Sequence, residues 1–303
     1  GYAGKHGWDI GIGSMWIGVG NALLGCLISW LLLAKRTRRM THIMQSKTMP
    51  EFFESRFQSK SMKIFAALII FVFLVPYSAA VYKGLGTMFN TIFPGISVNY
   101  CMLIIAVLTA IYLVLGGYLA TAYTDFVQGI IMIIGVFAMI IAIVKTDAVG
   151  GFSQIFAKLS EIPDNGDGVT GATLTSLWGA GSWKFLCINI LLTSFGTWGL
   201  PQMVTKFYSV RNEKSVKQAT VISTIFCLII GVGAYFIGSL SRIVLNNQLP
   251  EGGRDAVIPQ VLLTALSGNS FTVIILAVIL ILLLSASMST LASVVLTSAS
   301  SIS

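Results

Sequence analysis

Side chains with oxygen donors recur along one face of the stretch Phe271 to Ser303. It opens as hydrocarbon, FTVIILAVILILLL, and passes into LSASMSTLASVVLTSAS without losing helix-compatible spacing. At about 100° per residue, Ala286, Ser289, Thr290, Ser293, Thr297, Ser300 and Ser301 share a face roughly 120° wide. Two chemistries fit such a stripe. Small and hydroxyl-bearing residues let helices approach closely in lipid. The same oxygens can also face a small hard cation, which prefers oxygen ligands.

Two ionisable residues lie well inside apolar surroundings, where a charge at the centre of a membrane helix costs about 2.5–3.5 kcal/mol. Lys83, in VPYSAAVYKGLGTMF, is near a helix end. It either snorkels to the interface or meets a polar partner or a substrate carboxylate. Asp125, in GGYLATAYTD, is too short to snorkel. It either caps a helix N-terminus or faces a cavity and binds a cation. A third irregularity is NILLTSFGTWGLPQMVTKFYSVR, where Gly196, Gly199 and Pro201 fall within six residues. Proline removes a backbone donor and clashes with the preceding turn, so the segment is either kinked or broken. Unwound backbone in a membrane survives where it is buried or lines a cavity. On the second reading Ser194, Phe195, Thr197, Trp198 and Gln202 are the candidate wall of a substrate pocket.

The elements that must position these groups are helices in a bilayer. Of the 303 residues 55% are hydrophobic and 10% charged, with a mean hydropathy of +0.86. A soluble domain carries about a quarter charged residues. Several apolar runs exceed the roughly 18 residues that span a bilayer as a helix, and none alternates as a barrel strand does. This is an all-α polytopic membrane protein, read as one transmembrane domain over 1–303. Seven spans are expected at about 8–34, 62–90, 100–119, 122–145, 183–204, 216–240 and 271–303.

The net charge of +8 is a topology signal rather than a nucleic-acid footprint. Lys35, Arg36, Arg38, Arg39, Lys47, Arg56, Lys60, Lys63, Lys206, Arg211, Lys214 and Lys217 lie in linkers on one side. Only Lys145, Lys158, Lys184, Arg242 and Arg254 lie on the other. The positive-inside rule puts the first group in the cytoplasm, with Gly1 outside and Ser303 inside a multi-pass cell-membrane protein. In the basic linker, Thr48, Pro50 and Glu51 of TMPEFFESRF read as a helix start, by hydroxyl cap, early proline and first-turn acid. Phe52, Phe53 and Phe57 then share one side of a short elbow helix. Outside, the segment 146–182 with its PDNGDGVTG is a lid or a loop, and a short helix is expected after Pro259. Cys26, Cys101, Cys187 and Cys227 lie in apolar runs and behave as small hydrophobes. His6 and His42 have no ligand-spaced neighbours, and no nucleophile–base pair appears, so an enzyme is not expected.

Taken together, these pieces resemble the sodium/solute symporter family, whose members carry glucose, proline, pantothenate or sialic acid. The resemblance rests on the basic turn with TMPEFFESRF and on the GG-turn leading to YTDFVQG. It also rests on the broken helix running into KFYSVRNEKSVKQA, and on ASMSTLASVVLTSAS. It implies a LeuT-type fold of two inverted five-helix repeats, with the seven spans similar to core helices two to eight. It further implies a central sodium site from the Ala286 carbonyl and the Ser289 and Thr290 hydroxyls. Asp125, with Ser289 and Ser293, matches a second sodium site found in some members. Ala292 departs from that pattern, standing where two-sodium members supply a hydroxyl, and Tyr118 departs from the usual Leu, Met or Phe.

The family's first broken helix normally precedes this Gly1, so the chain is expected to be an interior portion that does not transport alone. The implied function is sodium-coupled symport of a small organic solute by alternating access, with Na+ as the coupling ion. A bundle holding the broken helices would rock against a scaffold holding spans two and seven. A symporter-like sensor module and a sodium-independent uniporter or channel are the alternatives.

Overall fold

The computed structural model describes residues 2–93, 95–181, 183–210, 212–265 and 270–302. Every regular element among them is helical: α1 (Tyr2–Ile10), α2 (Met15–Gly20), α3 (Lys35–Met44), α4 (Met49–Phe57), α5 (Lys60–Ile92), α6 (Val98–Val144), α7 (Ile155–Ser160), α8 (Gly171–Leu174), α9 (Trp183–Trp198), α10 (Pro201–Ser209), α11 (Glu213–Ser239), α12 (Ser241–Val244), α13 (Val257–Ala265) and α14 (Ser270–Ile302). Five stretches of the described residues are long and apolar enough to cross a membrane: 2–44, 60–90, 98–116, 122–144 and 214–244.

Local chemistry sets several boundaries. Thr48 and Glu51 form a reciprocal capping box at the start of α4, as the sequence predicts, and the short helix ends at Gln58 with φ of 50°. Ser59 caps α5 by accepting the Met62 amide, and Asn212 caps α11 by accepting the Ser215 amide at 2.8 Å. The helix expected after Pro259 is α13, which begins two residues before that proline.

The first span is less regular than its sequence suggests. Gly11, at φ of +79°, separates α1 from a 3₁₀ turn at Gly11–Ser14. Beyond α2 the backbone widens into π-helical turns at Asn21–Leu27 and Trp30–Ala34. Between spans three and four the sequence predicts a break at the Gly pair. The helical backbone instead continues from Val98 to Val144. Glycine costs about 1 kcal/mol in a helix but, unlike proline, removes no donor. Asp125 therefore lies inside a helix, and the N-cap reading does not hold.

The helices form two groups. In one, the first span packs along α11, with α9 against its α2 and π-helical parts. A Cβ added to Gly7 would fall 2.2 Å from the backbone carbon of Gly238, and one on Gly18 would fall 2.7 Å from that of Gly231. The two helices thus meet backbone to backbone, the close approach that small residues permit in lipid. In the other group α5, α6 and α14 pack on one another. α6 also touches α11, and α10 reaches from α3 to α14, so these two elements join the groups.

The outer segment after α6 is a packed cap rather than an open loop. Val149, Leu159 and Leu174 are fully buried with Leu240, Val257 and Leu262. Arg242, 1% exposed, fastens this cap. Its Nε donates to the Trp8 carbonyl at 2.7 Å, and its two terminal nitrogens donate to Asn247 Oδ1 and Asp167 Oδ2, each at 2.6 Å. Asn247 in turn donates to the Pro163 carbonyl at 3.0 Å. Large apolar side chains stand exposed along α5, α6 and α11, among them Phe73, Leu115 and Ile222, as surfaces facing lipid or further protein do.

Candidate functional site

The hydroxyl stripe of α14 divides by what each oxygen touches. Most of its hydroxyls bond back to their own helix, which satisfies the donor locally. Thr290 Oγ1 donates to the Ala286 carbonyl at 3.0 Å, Thr297 Oγ1 to Ser293 at 2.7 Å and Ser301 Oγ to Ser298 at 2.7 Å. Ser289 differs. Its Oγ donates across the interface to Asp125 Oδ1 of α6 at 2.6 Å, a length typical of a charge-assisted O–H···O⁻ bond. Ser289 and Asp125 thus join the two helices the sequence reading singled out.

Beside that bond lies a cavity of ≈ 260 Å³. Its walls are Ala122 and Asp125 from α6, Ala292, Ser293, Leu296 and Thr297 from α14, and Gln202, Thr205, Lys206 and Ser209 from α10. Asp125 and Ser293 therefore share one chamber of mixed polar and apolar lining, and Ala292 is present in its wall without an oxygen to offer. Ala286 and Thr290 are half-buried, and the Thr290 hydroxyl bonds to the Ala286 carbonyl. The donors around the chamber are carboxylate, hydroxyl and amide oxygens, the set a hard monovalent or divalent cation prefers over a soft one. Among the described residues no group of three His, Cys, Asp or Glu side chains is placed to hold a metal.

The break in span five is real, and α10 starts with Pro201 at its first turn. α9 ends at Trp198, and Leu200 is extended at ψ of 122°. The side chains around the break do not converge on one pocket. Ser194, fully buried, donates to the Gly20 carbonyl at 3.3 Å, and Trp198 Nε1 donates to the Leu24 carbonyl at 2.8 Å. Thr197 Oγ1 lies 2.7 Å from the Ser194 carbonyl and 3.5 Å from that of Gly25. Thr197 and Trp198 face the π-helical part of the first span, and Ser194 the last residue of α2 just before it, where the wide turn leaves carbonyls to be satisfied. Phe195 is 54% exposed and stacks edge-on with Trp198. Gln202 sits in the Asp125 chamber instead, and Lys83 is exposed on α5, apart from all of these. Gly196, Gly199, Leu200 and Pro201 line the other side of the break, an apolar groove of ≈ 690 Å³ shared with Phe53, Phe57 and Phe65.

Sequence reasoning missed three things here. It placed Lys206 in a linker, whereas α10 carries it to the chamber one turn after Gln202. It gave no sign of the π-helical turns, since NALLGCL reads as ordinary apolar helix. It passed over Arg242 as a loop charge, although an arginine beside an Asn pair and across from an acidic loop is a legible signal for a clamp.

The architecture is that of an all-α polytopic membrane protein, with a broken helix and an oxygen-lined chamber between two helix groups. Comparison with known proteins places it further. The pattern of the Sodium:solute symporter family matches residues 1–303, and the chain belongs to that family. It is 28% identical over 299 residues to "Sodium/proline symporter 2" of Staphylococcus saprophyticus, covering 97% of this chain and 55% of that protein. It is 29% identical over 299 residues to "High-affinity proline transporter PutP" of Bacillus subtilis, covering 97% and 59%. It is 28% identical over 296 residues to "Osmoregulated proline transporter OpuE" of the same species, covering 96% and 56%. The chain thus spans a little over half the length of these relatives. No solved structure matches it significantly.

Proposed function

We propose that this chain carries the ion-coupling part of a cell-membrane symporter that moves a small organic solute together with sodium by alternating access. Proline, or a close zwitterionic analogue, is the solute the named relatives favour. The observation that carries the reading is the Ser289–Asp125 bond beside an oxygen-lined chamber at the meeting of α6, α10 and α14. One helix group holds the first span, α9 and α11, and the other holds α5, α6 and α14. A cation bound in the chamber touches the second group and, through α10, the first, so its binding energy differs between arrangements of the two.

Chemically, Asp125 supplies a full charge, and the Ser289 hydroxyl turns its hydrogen away to offer a lone pair. Ser293 adds a second hydroxyl. The Ala286 carbonyl with the Ser289 and Thr290 hydroxyls serves the central site, and Asp125 with Ser289 and Ser293 a second one. Each sodium that crosses at about 100 mV contributes roughly 2.3 kcal/mol to solute accumulation. A second ion therefore steepens the gradient the transporter can sustain. The basic linkers at 35–63 and 206–217 face the cytoplasm on this reading.

The test is proline uptake by the complete protein in proteoliposomes under an imposed sodium gradient. Ser289→Ala and Thr290→Ala should each raise the sodium concentration for half-maximal uptake at least tenfold. Uptake that proceeds equally with choline in place of sodium would establish a uniporter instead.

A further inference from the structure

We propose that Cys26 and Cys227 are an oxidisable thiol pair, closed to a disulfide by a lipid-soluble organic hydroperoxide, that staples the π-helical part of the first span to α11. The bridge itself is independent of the symport reading; its effect on transport rests on that reading.

Thiols buried in apolar surroundings are ordinarily inert, and what sets these two apart is their contact with each other. Cys26 lies in the π-helical stretch Asn21–Leu27 and Cys227 in α11. Both belong to one packed cluster with Trp30, Ala34, Phe207 and Val216. The two thiols are in hydrogen-bonding contact, and the Thr224 hydroxyl, a turn before Cys227, also touches Cys26. A disulfide needs Cα atoms within about 7 Å of each other. These helices meet backbone to backbone nearby, where a Cβ on Gly18 would fall 2.7 Å from the Gly231 carbon.

Two features of the surroundings favour oxidation. Cys26 is 5% exposed, but Cys227 is half-buried and is flanked on α11 by the exposed side chains of Ile225 and Leu228. The way in is therefore through apolar surface, which a hydroperoxide carried in lipid can take. Trp30, a turn after Cys26, has its Nε1 buried with no acceptor. An N–H donor in this cluster stabilises negative charge as it develops on sulfur.

The step balances. One sulfur attacks the peroxide, breaks its O–O bond, takes one oxygen and releases the alcohol. The other sulfur displaces that oxygen as water and forms the S–S bond. The thiols together lose two electrons, the peroxide gains them, and the thiol protons end in the alcohol and the water. Cys26 directly follows Leu24 and Gly25, whose carbonyls accept from Trp198 and Thr197 at the α9–α10 break. The bridge thus fixes the wide turns between α11 on one side and the break on the other, and a carrier that must rearrange around the break is slowed.

The experiment treats the complete protein in proteoliposomes with cumene hydroperoxide, alkylates the remaining thiols and maps peptides by mass spectrometry with and without reduction. The parent should yield peptides joined through Cys26 and Cys227, with hydrogen exchange over 21–27 slowed and sodium-driven proline uptake reduced at least fivefold. Tributylphosphine should reverse all three. Cys26→Ser and Cys227→Ser should keep uptake within twofold before oxidation and show none of these changes, with alanine variants standing in if a serine variant does not fold. Cys101→Ser and Cys187→Ser should respond as the parent does. Absence of the joined peptides, or a parent-like loss of uptake in Cys26→Ser, overturns the proposal. A bridge that forms without slowing exchange or uptake overturns the stapling role. If the reduced parent shows no sodium-driven uptake, the symport reading fails, while joined peptides and slowed exchange still uphold the bridge.

Discussion

Replacing Arg242 with methionine removes the fastening between the outer cap and the end of α11, at a cost set by what remains. The guanidinium is 1% exposed, makes three bonds of 2.6–2.7 Å and lies 4.7 Å over the Trp8 ring. Its loss strands the Trp8 carbonyl and the buried Asn247 amide, each worth about 1–3 kcal/mol when unsatisfied. Asp167 contributes less, because 40% of its side chain is exposed and water replaces the lost partner. The sum is about 3 kcal/mol, at the low end for breaking a buried ion pair. The assay is melting in detergent together with hydrogen exchange in 162–170. The Gly166, Gly168 and Val169 amides there donate to the Asp164 and Asp167 carboxylates. The variant should melt several degrees lower and exchange faster in this segment, and unchanged values in both measurements would refute the clamp.

The same bond carries a pH signature. Partial burial raises the Asp167 carboxyl, but the hydrogen bond and charge of Arg242 and the Val169 amide outweigh it and hold the carboxyl below its usual range. A depressed folded-state value means the stabilisation is present above about pH 3.9, the ordinary carboxyl value, and is lost as pH falls through the folded one. Asp167→Asn should lack that additional loss in acid.

Two further substitutions test the packing. At Gly238 an added Cβ would lie 2.4 Å from the Ala3 carbonyl oxygen, so Gly238→Ala should destabilise by about 2 kcal/mol through overpacking. Gly84→Ala, with no atom within 4 Å of the new Cβ, should be neutral or stabilising by up to about 1 kcal/mol, and melting curves of the pair check both. Trp198→Phe removes the donor to the Leu24 carbonyl at 2.8 Å, which should cost about 1–2 kcal/mol and speed exchange at the π-helical turns.

Much of this was legible in the chain itself. Hydropathy and length placed the helices to within a few residues at α5 and α11, because long apolar runs leave few alternatives, and the explicit cap Thr48 placed α4. Gly199 and Pro201 marked the place where α9 gives way to α10 as a kink or a break, because proline removes a backbone donor there. The continuity of α6 through the Gly pair was not legible, since glycine is permitted both in turns and in helices. Partner choice was also hidden. Whether Trp198 and Thr197 face a pocket or the first span depends on carbonyls freed by π-helical turns, which leave no mark on NALLGCL. Gln202 and Lys206 moved from pocket wall and linker to the Asp125 chamber because the break redirects α10 toward α14, a tertiary fact that local pattern does not contain.

The measurement closest to the central claim is equilibrium binding of radiolabelled sodium to the complete protein, parent against Asp125→Asn and Ser289→Ala. A cation held beside the 2.6 Å Ser289–Asp125 contact requires both variants to bind at least tenfold more weakly, with Asp125→Asn also reducing the number of ions bound. Parent-like affinity and stoichiometry in both variants would show that α6 and α14 do not hold the ion.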